Sequence, residues 1–343
     1  MPHRTFLTFI WPSALAMLLF IALPVLSVGI QSLHIEHEQI VQTVKNCGPF
    51  GCKEVDIVDA EATALLQKEQ PLGRFNGLGT YANRNHLAVE EISAAWQAGG
   101  GFGSFVDTLL NLPFYKALAF TLTYTFVVTP LVLLLGFFIA LAVNRLPGLM
   151  KGPTIFVSLL PMIVTPLIGS LILFWMIDAK GVIGGSLQLI FDNPDLSLKA
   201  SPTLTWVTLI VYGVWHSAPF AFVVFYAGLQ TVPKDTLESA MIDGATRWQR
   251  VRHVILPHLA PLLVFIALIQ LMDNFRVFEP IVGFNAEANA TSLSWIIYND
   301  LRGSDGTMLF SSAAATSMLT IIGVCILLAP VVMRTWRDNR QRA

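Results

Sequence analysis

Charged residues are scarce in this chain. Aspartate, glutamate, lysine and arginine make up only 13% of the 343 residues, while hydrophobic residues make up 54%. An average soluble domain carries about 25% charged residues. This composition excludes an ordinary soluble protein and predicts a chain that crosses a membrane several times. The formal net charge of −1 gives no sign of a nucleic-acid partner.

Cysteine is also rare, with three residues in the chain, Cys47, Cys52 and Cys325. No cluster of histidine and cysteine has the spacing of a metal site, so neither zinc nor redox chemistry is indicated. The phosphate-binding pattern G-x-x-x-x-G-K-[ST] is missing, and we therefore expect no ATP site in this chain. H-E-x-x-H and G-x-S-x-G are missing too, which leaves an intramembrane enzyme as a remote alternative.

Long apolar runs dominate the rest of the sequence. Six of them are long enough to cross a hydrocarbon core, which takes about 20 helical residues. They lie at residues 6–30, 117–143, 154–177, 204–230, 258–282 and 308–333. The first run shows no small-x-small cleavage site, so we interpret it as a retained helix rather than a signal peptide. We predict an all-α integral membrane protein with six transmembrane helices.

The distribution of lysine and arginine predicts the orientation, because these residues are enriched in cytoplasmic loops. With the N-terminus inside, the short outer loops carry only Lys180, Lys199 and Arg302. The inner side then carries Arg4, Arg145, Lys151, Lys234, Arg247, Arg250, Arg252, Arg334, Arg337, Arg340 and Arg342. We expect a multi-pass protein of a bacterial inner membrane with both termini in the cytoplasm.

Residues 31–115 form a hydrophilic insertion between the first two predicted spans, outside the cytoplasm in this orientation. Residues 55–68 have weak helical periodicity, and three glycines at 99–101 predict a flexible join. Cys47 and Cys52 are a candidate disulfide pair if the insertion lies in an oxidising periplasm. The insertion is either a structural cap or a docking surface for a periplasmic partner, and the sequence leaves both interpretations open.

The longest hydrophilic stretch in the second half of the chain lies at residues 233–257, between two apolar runs of membrane length. Leu237 and Met241 share one face at helical spacing, Gly244 then interrupts the pattern, and Trp248 begins a second apolar stripe. We predict two short amphipathic helices that meet at an angle at the glycine.

A recognisable motif lies within this loop. Its residues are Glu238, Ser239, Ala240, Asp243, Gly244, Ala245, Ile255, Leu256 and Pro257. Their order resembles the EAA loop in the membrane subunits of binding-protein-dependent ABC importers. Ser239 stands where that family usually has alanine, and the spacing from Ile255 to Leu256 and Pro257 is one residue shorter than in the family's I-x-L-P. The run at 245–249 is similar to the sugar-importing branch of the family.

The resemblance implies that this chain works in an assembly. ATP and Mg²⁺ would be bound by two copies of a separate ABC ATPase subunit, and this chain would hold no cofactor itself. The loop would lie in a groove of an ATPase subunit, with Glu238 paired to a basic residue there. A second permease subunit, a periplasmic solute-binding protein and membrane lipid complete the expected partners.

Residues in the fourth predicted span resemble one wall of the substrate cavity in maltose-type permeases. Trp215, Pro219 and Phe220 match the family pattern of tryptophan, three residues, proline and an aromatic residue. An aromatic ring can cover the apolar face of a sugar while polar groups bind its hydroxyls. The resemblance implies Trp215 and Phe220 as substrate contacts and offers His216 and Ser217 as polar candidates. His216 also has the simpler interpretation of a packing residue.

The fifth predicted span carries polar residues at membrane depth, where they usually face a bundle interior or a water-filled cavity. Asn274 lies in a stretch that resembles the Asn-Asn-Phe segment of the maltose-type cavity. It is our first candidate contact, and Gln270 is a weaker one. Asp273, Arg276 and Glu279 have i, i+3, i+6 spacing and can neutralise one another along one helix face. Asp273 and Arg276 are also candidate contacts.

The family resemblance covers about residues 116–333 and implies a division of the chain. The segments are a transmembrane helix at 1–30, a periplasmic insertion at 31–115, a permease domain at 116–333 that includes the coupling loop 233–257, and a cytoplasmic tail at 334–343. The expected function is import of a sugar, oligosaccharide or glycoside by alternating access. If Arg276 binds the cargo, the alternative is an anionic solute such as a glycerol phosphate, a sulfonated sugar or an amino acid.

Overall fold

The computed structural model describes residues 3–36, 41–48, 51–99, 101–193, 196–199, 201–303 and 308–342. The chain divides into two compact units, which are Met1–Lys116 with Ile296–Ile322 and Ala117–Trp295 with Gly323–Ala343. This division differs from the segments expected from the sequence. The first unit combines the insertion with the first apolar run and with the start of the last one.

Helices and short strands alternate in the first part of the chain. The elements are α1 (His3–Met17), a π-helical turn (Leu18–Ala22), α2 (Leu23–Ser32), β1 (His34–Ile35), β2 (Val41–Gly48), β3 (Gly51–Val58), α3 (Ala60–Glu69), β4 (Arg74–Phe75), α4 (Gly79–Ala82), α5 (Val89–Gln97) and α6 (Gly101–Leu110). β1 pairs with β4, and β2 pairs with β3, both antiparallel.

The described residues after α6 form helices joined by loops. These helices are α7 (Pro113–Asn144), α8 (Gly148–Ile163), α9 (Pro166–Met176), α10 (Val182–Ile190), α11 (Pro202–Gln230), α12 (Lys234–Ile242), α13 (Arg247–Arg250), a second π-helical turn (Val251–Ile255), α14 (Leu256–Phe275), α15 (Glu279–Gly283), α16 (Leu293–Arg302) and α17 (Phe310–Arg342).

Membrane-length helices confirm the predicted fold class. The helices that are long and apolar enough to cross a membrane are Thr8–Ser32, Pro113–Asn144, Pro202–Gln230, Arg247–Phe275 and Phe310–Arg334. α8 and α9 supply a sixth span within the described residues if this bent pair counts as one. The chain is therefore a predominantly helical integral membrane protein.

The third predicted span, 154–177, is not one continuous helix. α8 ends at Ile163, α9 starts at Pro166, and the two helices are bent by 93°. Pro166 is the first residue of α9, where its missing N–H leaves no intrahelical bond unmade. The residue before a proline also disfavours helical backbone. Pro166 therefore marks the break between the two helices.

The fifth predicted span, 258–282, is displaced toward the N-terminus. The helix formed by α13, the π turn and α14 ends before Arg276, and Glu279 starts the separate helix α15. A continuous helix would leave the carbonyl of Arg276 without a donor, because Pro280 has no N–H. The prediction that Asp273, Arg276 and Glu279 lie along one helix face is therefore wrong.

The insertion contains strands that the sequence analysis did not predict. Residues 55–58 belong to β3, so the weak helical periodicity at 55–68 corresponds to a helix only from Ala60 onward. Valine and isoleucine flank an aspartate there, and β-branched residues favour strands. The helix begins only at Ala60, after Asp59 caps it by accepting a hydrogen bond from the Ala62 N–H at 3.0 Å.

The hairpin of β2 and β3 brings the two cysteines of the insertion into register. Cys47 lies directly opposite Cys52 in the antiparallel pair. Opposite residues in such a pair have Cβ atoms about 4.5–5.5 Å apart. The side chains of both cysteines lie outside the part of the chain that the structure describes. The disulfide therefore stays a prediction.

The core of the second unit lies where α11 contacts α7 and α14. A Cβ atom on Gly136 would lie 2.6 Å from the Cβ of Ala221, and one on Gly228 would lie 2.4 Å from a methyl group of Leu262. Small residues at such contacts are typical of membrane helix bundles. The buried side chains around them include Phe120, Tyr124, Val128, Leu209, Tyr212, Phe222, Phe225, Leu259 and Ile266.

Hydrogen bonds attach the insertion to α2 and α17 within the first unit. The hydroxyl of Tyr81 donates to the Oγ of Ser32 at 2.6 Å. The Nε2 of the buried His86 lies 3.1 Å from the carbonyl oxygen of Ser312. These bonds favour the interpretation of the insertion as a structural cap.

Candidate functional site

α12 ends in a backbone turn that requires glycine. The N–H of Gly244 donates to the carbonyl of Met241 at 3.1 Å, and the N–H of Ala245 donates to the carbonyl of Ala240 at 3.0 Å. These two bonds form a Schellman motif, in which one residue is left-handed, and Gly244 has a φ of +78°. Gly244 thus sets the direction in which the chain leaves α12, as the sequence pattern indicates.

The segment after this turn begins with a reciprocal cap. The Oγ1 of Thr246 accepts from the N–H of Gln249 at 3.3 Å, and the Oε1 of Gln249 accepts from the N–H of Thr246 at 2.7 Å. α13 then continues through the π turn into α14. The second helical segment is therefore the start of a membrane-length helix, not a separate short helix. Pro257, in the first turn of α14, follows the π turn.

α12 and the start of α13 present charge and apolar surface to solvent. Glu238 and Asp243 are exposed. Met241 and Trp248 are exposed as well, and the side chain of Ile242 is 86% exposed. Neighbouring exposed apolar side chains of this size mark an interaction site more often than a solvated surface. The loop therefore has the features of a docking surface.

Other residues of the predicted loop motif support the turn. The Oγ of Ser239 donates to the carbonyl of Asp235 at 2.8 Å. Ala240 and Ala245 are half-buried, while Leu256 is exposed. The motif thus combines exposed residues with half-buried residues whose backbone groups form the hydrogen bonds of the turn.

A cleft of about 340 Å³ opens between the end of α12 and α13. It is lined by Ala240, Asp243, Gly244, Ala245, Gln249, Arg250, His253 and Val254. The Nε of Arg250 is buried and has no hydrogen-bond partner among the described residues. An unpaired buried donor costs free energy. This donor is enclosed in the structure, so an acceptor from outside the chain reaches it only if the side chain of Arg250 turns into the cleft.

α14 carries two predicted substrate contacts on its buried side. The Nδ2 of Asn274 donates to the Oγ1 of Thr129 in α7 at 3.0 Å, and both side chains are buried. Gln270 lies one turn earlier and is 4% exposed. Its Oε1 is buried without a partner among the described residues, although buried polar atoms are nearly always hydrogen-bonded. This oxygen is an acceptor that a solute hydroxyl or a water can satisfy.

Asp273 and Arg276 form an exposed ion pair at the end of α14. The Nη2 of Arg276 lies 2.7 Å from the Oδ1 of Asp273. Such surface pairs contribute roughly 0–1 kcal/mol to stability. Glu279 is exposed too, but it lies at the start of α15. The charge of Arg276 is thus balanced by its neighbour one turn away.

α11 supplies hydrogen bonds to the break between α8 and α9. The Nε2 of His216 lies 3.1 Å from the carbonyl oxygen of Val164, and the hydroxyl of Tyr212 donates to the carbonyl of Pro166 at 2.7 Å. A broken helix frees carbonyl groups that must find partners inside a membrane. His216 therefore has a structural partner, and its contact with a substrate stays a prediction.

Two of the predicted residues of α11 have rings near that of Tyr212. The ring of Tyr212 is 6.0 Å from the ring of Trp215 and 5.8 Å from that of His216, centre to centre. Trp215 is about half exposed, and Ser217 is half-buried. Phe220 packs against the buried core. The structure thus brings Trp215 and His216 together around one aromatic ring, while Asn274 and Gln270 lie on another helix.

Two polar features of the structure were not predicted from the sequence. One is Thr129, because a threonine within an apolar run carries no distinctive signal. The other is a cleft of about 310 Å³ that includes Phe174, Lys199, Thr205, Thr208, Phe284 and Asn289. The Nζ of Lys199 lies 3.1 Å from the Oδ2 of Asp178, and this hydrogen bond holds the pKa of Asp178 below its ordinary value, helped by the Lys180 N–H.

A family match decides the class of this protein. The model of the family described as binding-protein-dependent transport system inner membrane component matches residues 99–342, well over half of the chain. The chain belongs to this family. It is therefore a multi-pass inner-membrane component of a transport system, which agrees with the family predicted from the loop motif.

Curated relatives of this transport family include sugar permeases. The trehalose transport system permease protein SugA of Mycobacterium tuberculosis is 31% identical over 221 residues, which are 64% of this chain and 68% of SugA. The trehalose/maltose transport system permease protein MalF of Thermococcus litoralis is 27% identical over 227 residues, which are 65% of this chain and 75% of MalF.

A solved transporter shares the fold of this transport component. The crystal structure of a bacterial ABC transporter involved in import of the acidic polysaccharide alginate matches 81% of this chain and 97% of the solved chain. The TM-score is 0.59 and the sequence identity is 21%. This likeness supports the permease fold alone.

Proposed function

We propose that this chain is the permease subunit of an ATP-driven importer for a carbohydrate. The observation that carries the proposal is the exposed loop of α12 and α13. It contains the predicted motif and the turn at Gly244, and the chain belongs to the transport family. The names of the relatives SugA and MalF support a sugar as the cargo.

The assembly that we propose contains several partners. Two copies of an ABC ATPase subunit bind ATP and Mg²⁺, so this chain needs no cofactor. A second permease subunit completes the pathway, and a periplasmic solute-binding protein delivers the solute. Both termini and the loop then lie in the cytoplasm. The excess of arginine and lysine in the loop and the C-terminal tail supports this orientation.

The loop docks on the ATPase through three features in this proposal. Ile242 and Trp248 supply exposed apolar surface, and Glu238 supplies an exposed charge. The side chain of Arg250 then turns into the cleft beside Gly244, where its unpaired Nε receives an acceptor from the ATPase. The glycine turn keeps α12 and α13 at a fixed angle, so that movement of the ATPase is passed on to the membrane helices.

A single helix connects the docking surface with the substrate candidates. The span Arg247–Phe275 is 29 residues long, which corresponds to about 43 Å at 1.5 Å per residue. Its residues up to Pro257 belong to the loop, and its last turns carry Gln270 and Asn274. Movement at the loop therefore reaches the cavity through a continuous element, which fits rigid-body alternating access.

The polar candidates on α14 favour a neutral sugar over an anion. The amides of Gln270 and Asn274 can both donate and accept hydrogen bonds. Arg276 is paired with Asp273 at 2.7 Å, which leaves less positive charge for an acidic cargo. An Arg276→Ala variant tests the anionic alternative in uptake assays. We expect this variant to keep its uptake of a neutral sugar. If it instead lost the uptake of an acidic solute while uptake of the neutral sugar was unchanged, the anionic alternative would be correct.

Replacement of Glu238 by lysine tests the docking role. We expect Glu238→Lys to leave membrane insertion intact but to uncouple ATP hydrolysis from uptake, because the reversed charge repels the basic partner. Uptake and ATPase activity of the reconstituted importer are measured together. Asp235→Lys is the matched control, since Asp235 is an exposed acid in the first turn of the same helix. Normal coupled uptake by Glu238→Lys would contradict the proposed role.

A further inference from the structure

The helices α5 and α6 of the insertion have apolar faces that the described part of the chain leaves open. On α5, Val89, Ile92 and Trp96 share one face, and the side chain of Trp96 is 74% exposed. On α6, the side chain of Phe102 is 82% exposed. The opposite face of α6 carries Asp107 and other polar residues. Both helices therefore have the pattern of helices that lie at an interface.

An apolar groove runs along α5. It has a volume of about 460 Å³ and is lined by Leu87, Val89, Ile92, Ser93, Trp96, Gln97 and Tyr115. The rings of Trp96 and Phe105 meet edge to face at 5.7 Å, which joins α5 to α6. The groove thus belongs to a small, connected helical pair.

This groove is fixed to the start of a membrane span. Tyr115 lies in the first turn of α7, and its hydroxyl donates to the carbonyl of Leu87 at 3.0 Å. α6 ends at Leu110, and α7 begins at Pro113. α5, with α6 packed on it, is therefore held against the first turn of α7, a helix long and apolar enough to span the membrane.

We propose that α5 and α6 lie in the lipid interface at the start of α7, and that the groove holds the acyl chain of a lipid. Continuity with the membrane span identifies the occupant, because lipid already surrounds the next element of the chain. Tryptophan and phenylalanine are suited to the boundary between acyl chains and headgroups. No lysine or arginine occurs between Arg84 and Lys116, so the contact is made with acyl chains and requires no anionic headgroup.

Quenching by brominated lipid tests this site in the full chain. The importer assembly is placed in nanodiscs of phosphatidylcholine with bromine near the carbonyl end of the acyl chains, and tryptophan emission is recorded. We expect Trp96→Phe to lower the fraction of emission that bromine quenches. In the Trp96→Phe background, Phe102→Trp restores bromine quenching, whereas the matched control Asp107→Trp is quenched mainly by aqueous iodide.

Two outcomes would overturn the proposal. One is equal quenching of Phe102→Trp and Asp107→Trp by brominated lipid. The other is a Phe102→Trp signal that iodide quenches freely and that becomes shielded only when a periplasmic binding protein is added. The second outcome would assign the face to a protein partner. Both new tryptophans replace exposed side chains, so folding is preserved in each variant.

Discussion

Asn274 and Gln270 differ in what they already bind. Asn274 uses one N–H on Thr129, which leaves its carbonyl oxygen and second N–H for other partners. Gln270 has a buried Oε1 with no partner among the described residues. An unsatisfied buried acceptor costs about 1–3 kcal/mol. The two amides on one side of α14 therefore form a polar strip that is incomplete without a ligand or water.

Substitution of Asn274 separates substrate binding from packing. We expect Asn274→Ala to weaken uptake of the cargo, with a loss of about 1 kcal/mol, or roughly fivefold in apparent affinity, for a hydrogen bond to a hydroxyl. We expect the ATPase activity of the assembly to remain in this variant, because the docking surface of the loop is unchanged. The measurement is concentration-dependent uptake in proteoliposomes with the complete assembly.

Thr129→Val is the matched control for this variant. It removes the same internal hydrogen bond at 3.0 Å but keeps the amide of Asn274. If Asn274 contacts the cargo, Thr129→Val lowers the apparent affinity much less than Asn274→Ala does. Equal losses in the two variants would assign Asn274 a purely structural role.

The turn between α12 and α13 depends on the backbone of one residue. Gly244 has a φ of +78°, and a Cβ added there would meet no heavy atom within 4 Å. A substitution therefore costs only the strain of the left-handed backbone, which is about 1–2 kcal/mol for most residues and less for asparagine. The turn offers a test of backbone geometry that is free of steric clashes.

We expect Gly244→Asn to retain more coupled uptake than Gly244→Val. Asparagine tolerates the left-handed conformation, whereas a β-branched side chain opposes it and shifts the angle between the helices. Uptake per ATP hydrolysed is the quantity to measure, with expression in the membrane as the control for folding. Equal coupling in the two variants would show that the ATPase does not depend on this angle.

The elements that could be predicted from the sequence are those with a strong periodic signal. The apolar runs predicted the spans, and Gly244 predicted the turn. The break between α8 and α9 could not be predicted, because Pro166 is tolerated in membrane helices and the hydrogen bonds from Tyr212 and His216 to the break come from a distant part of the chain. The hairpin of β2 and β3 was missed because its short alternating pattern also fits weak helical periodicity.

Prediction of the candidate site is limited in the same way, because only local patterns can be recognised in the sequence. Motif residues such as Glu238 could be found in the sequence because their spacing is local. The pairing of Asn274 with Thr129 spans 145 residues, and no local pattern reports such a contact. The end of α14 before Arg276 was missed as well. Pro280 has no N–H to donate to the carbonyl of Arg276, so its effect on the helix appears four residues earlier in the chain.

At the scale of the whole molecule, the first unit brings together residues that are far apart in the sequence, and some of them are titratable. The Oδ2 of Asp300 accepts a hydrogen bond from the Oγ of Ser312 at 2.7 Å. Burial raises the pKa of Asp300 above its ordinary value of 3.8, and nearby Glu36 raises it further. The hydrogen bond from Ser312 and the charge of His86 oppose this rise. The contact between α16 and the start of α17 is therefore sensitive to pH.

The sign of this dependence follows from the direction of the shift. A carboxyl group with a raised pKa binds its proton more tightly in the folded state, so protonation stabilises the fold. This stabilisation is complete below the ordinary value of 3.8 and is lost as the pH rises through the raised pKa of Asp300. We expect the Tm of the wild type to rise relative to that of Asp300→Asn as the pH falls from neutral. Tryptophan emission of the assembly in nanodiscs reports the unfolding.

Ser312→Ala sharpens this test, because it removes a hydrogen bond that lowers the pKa of Asp300. The pH at which the carboxyl group gains its proton then moves upward, and the gain in Tm on acidification begins at a higher pH than in the wild type. Asp300→Asn combined with Ser312→Ala shows neither effect, since no carboxyl group remains at this position. A difference in Tm between wild type and Asp300→Asn that is independent of pH would mean that other carboxyl groups govern the acid response of this unit.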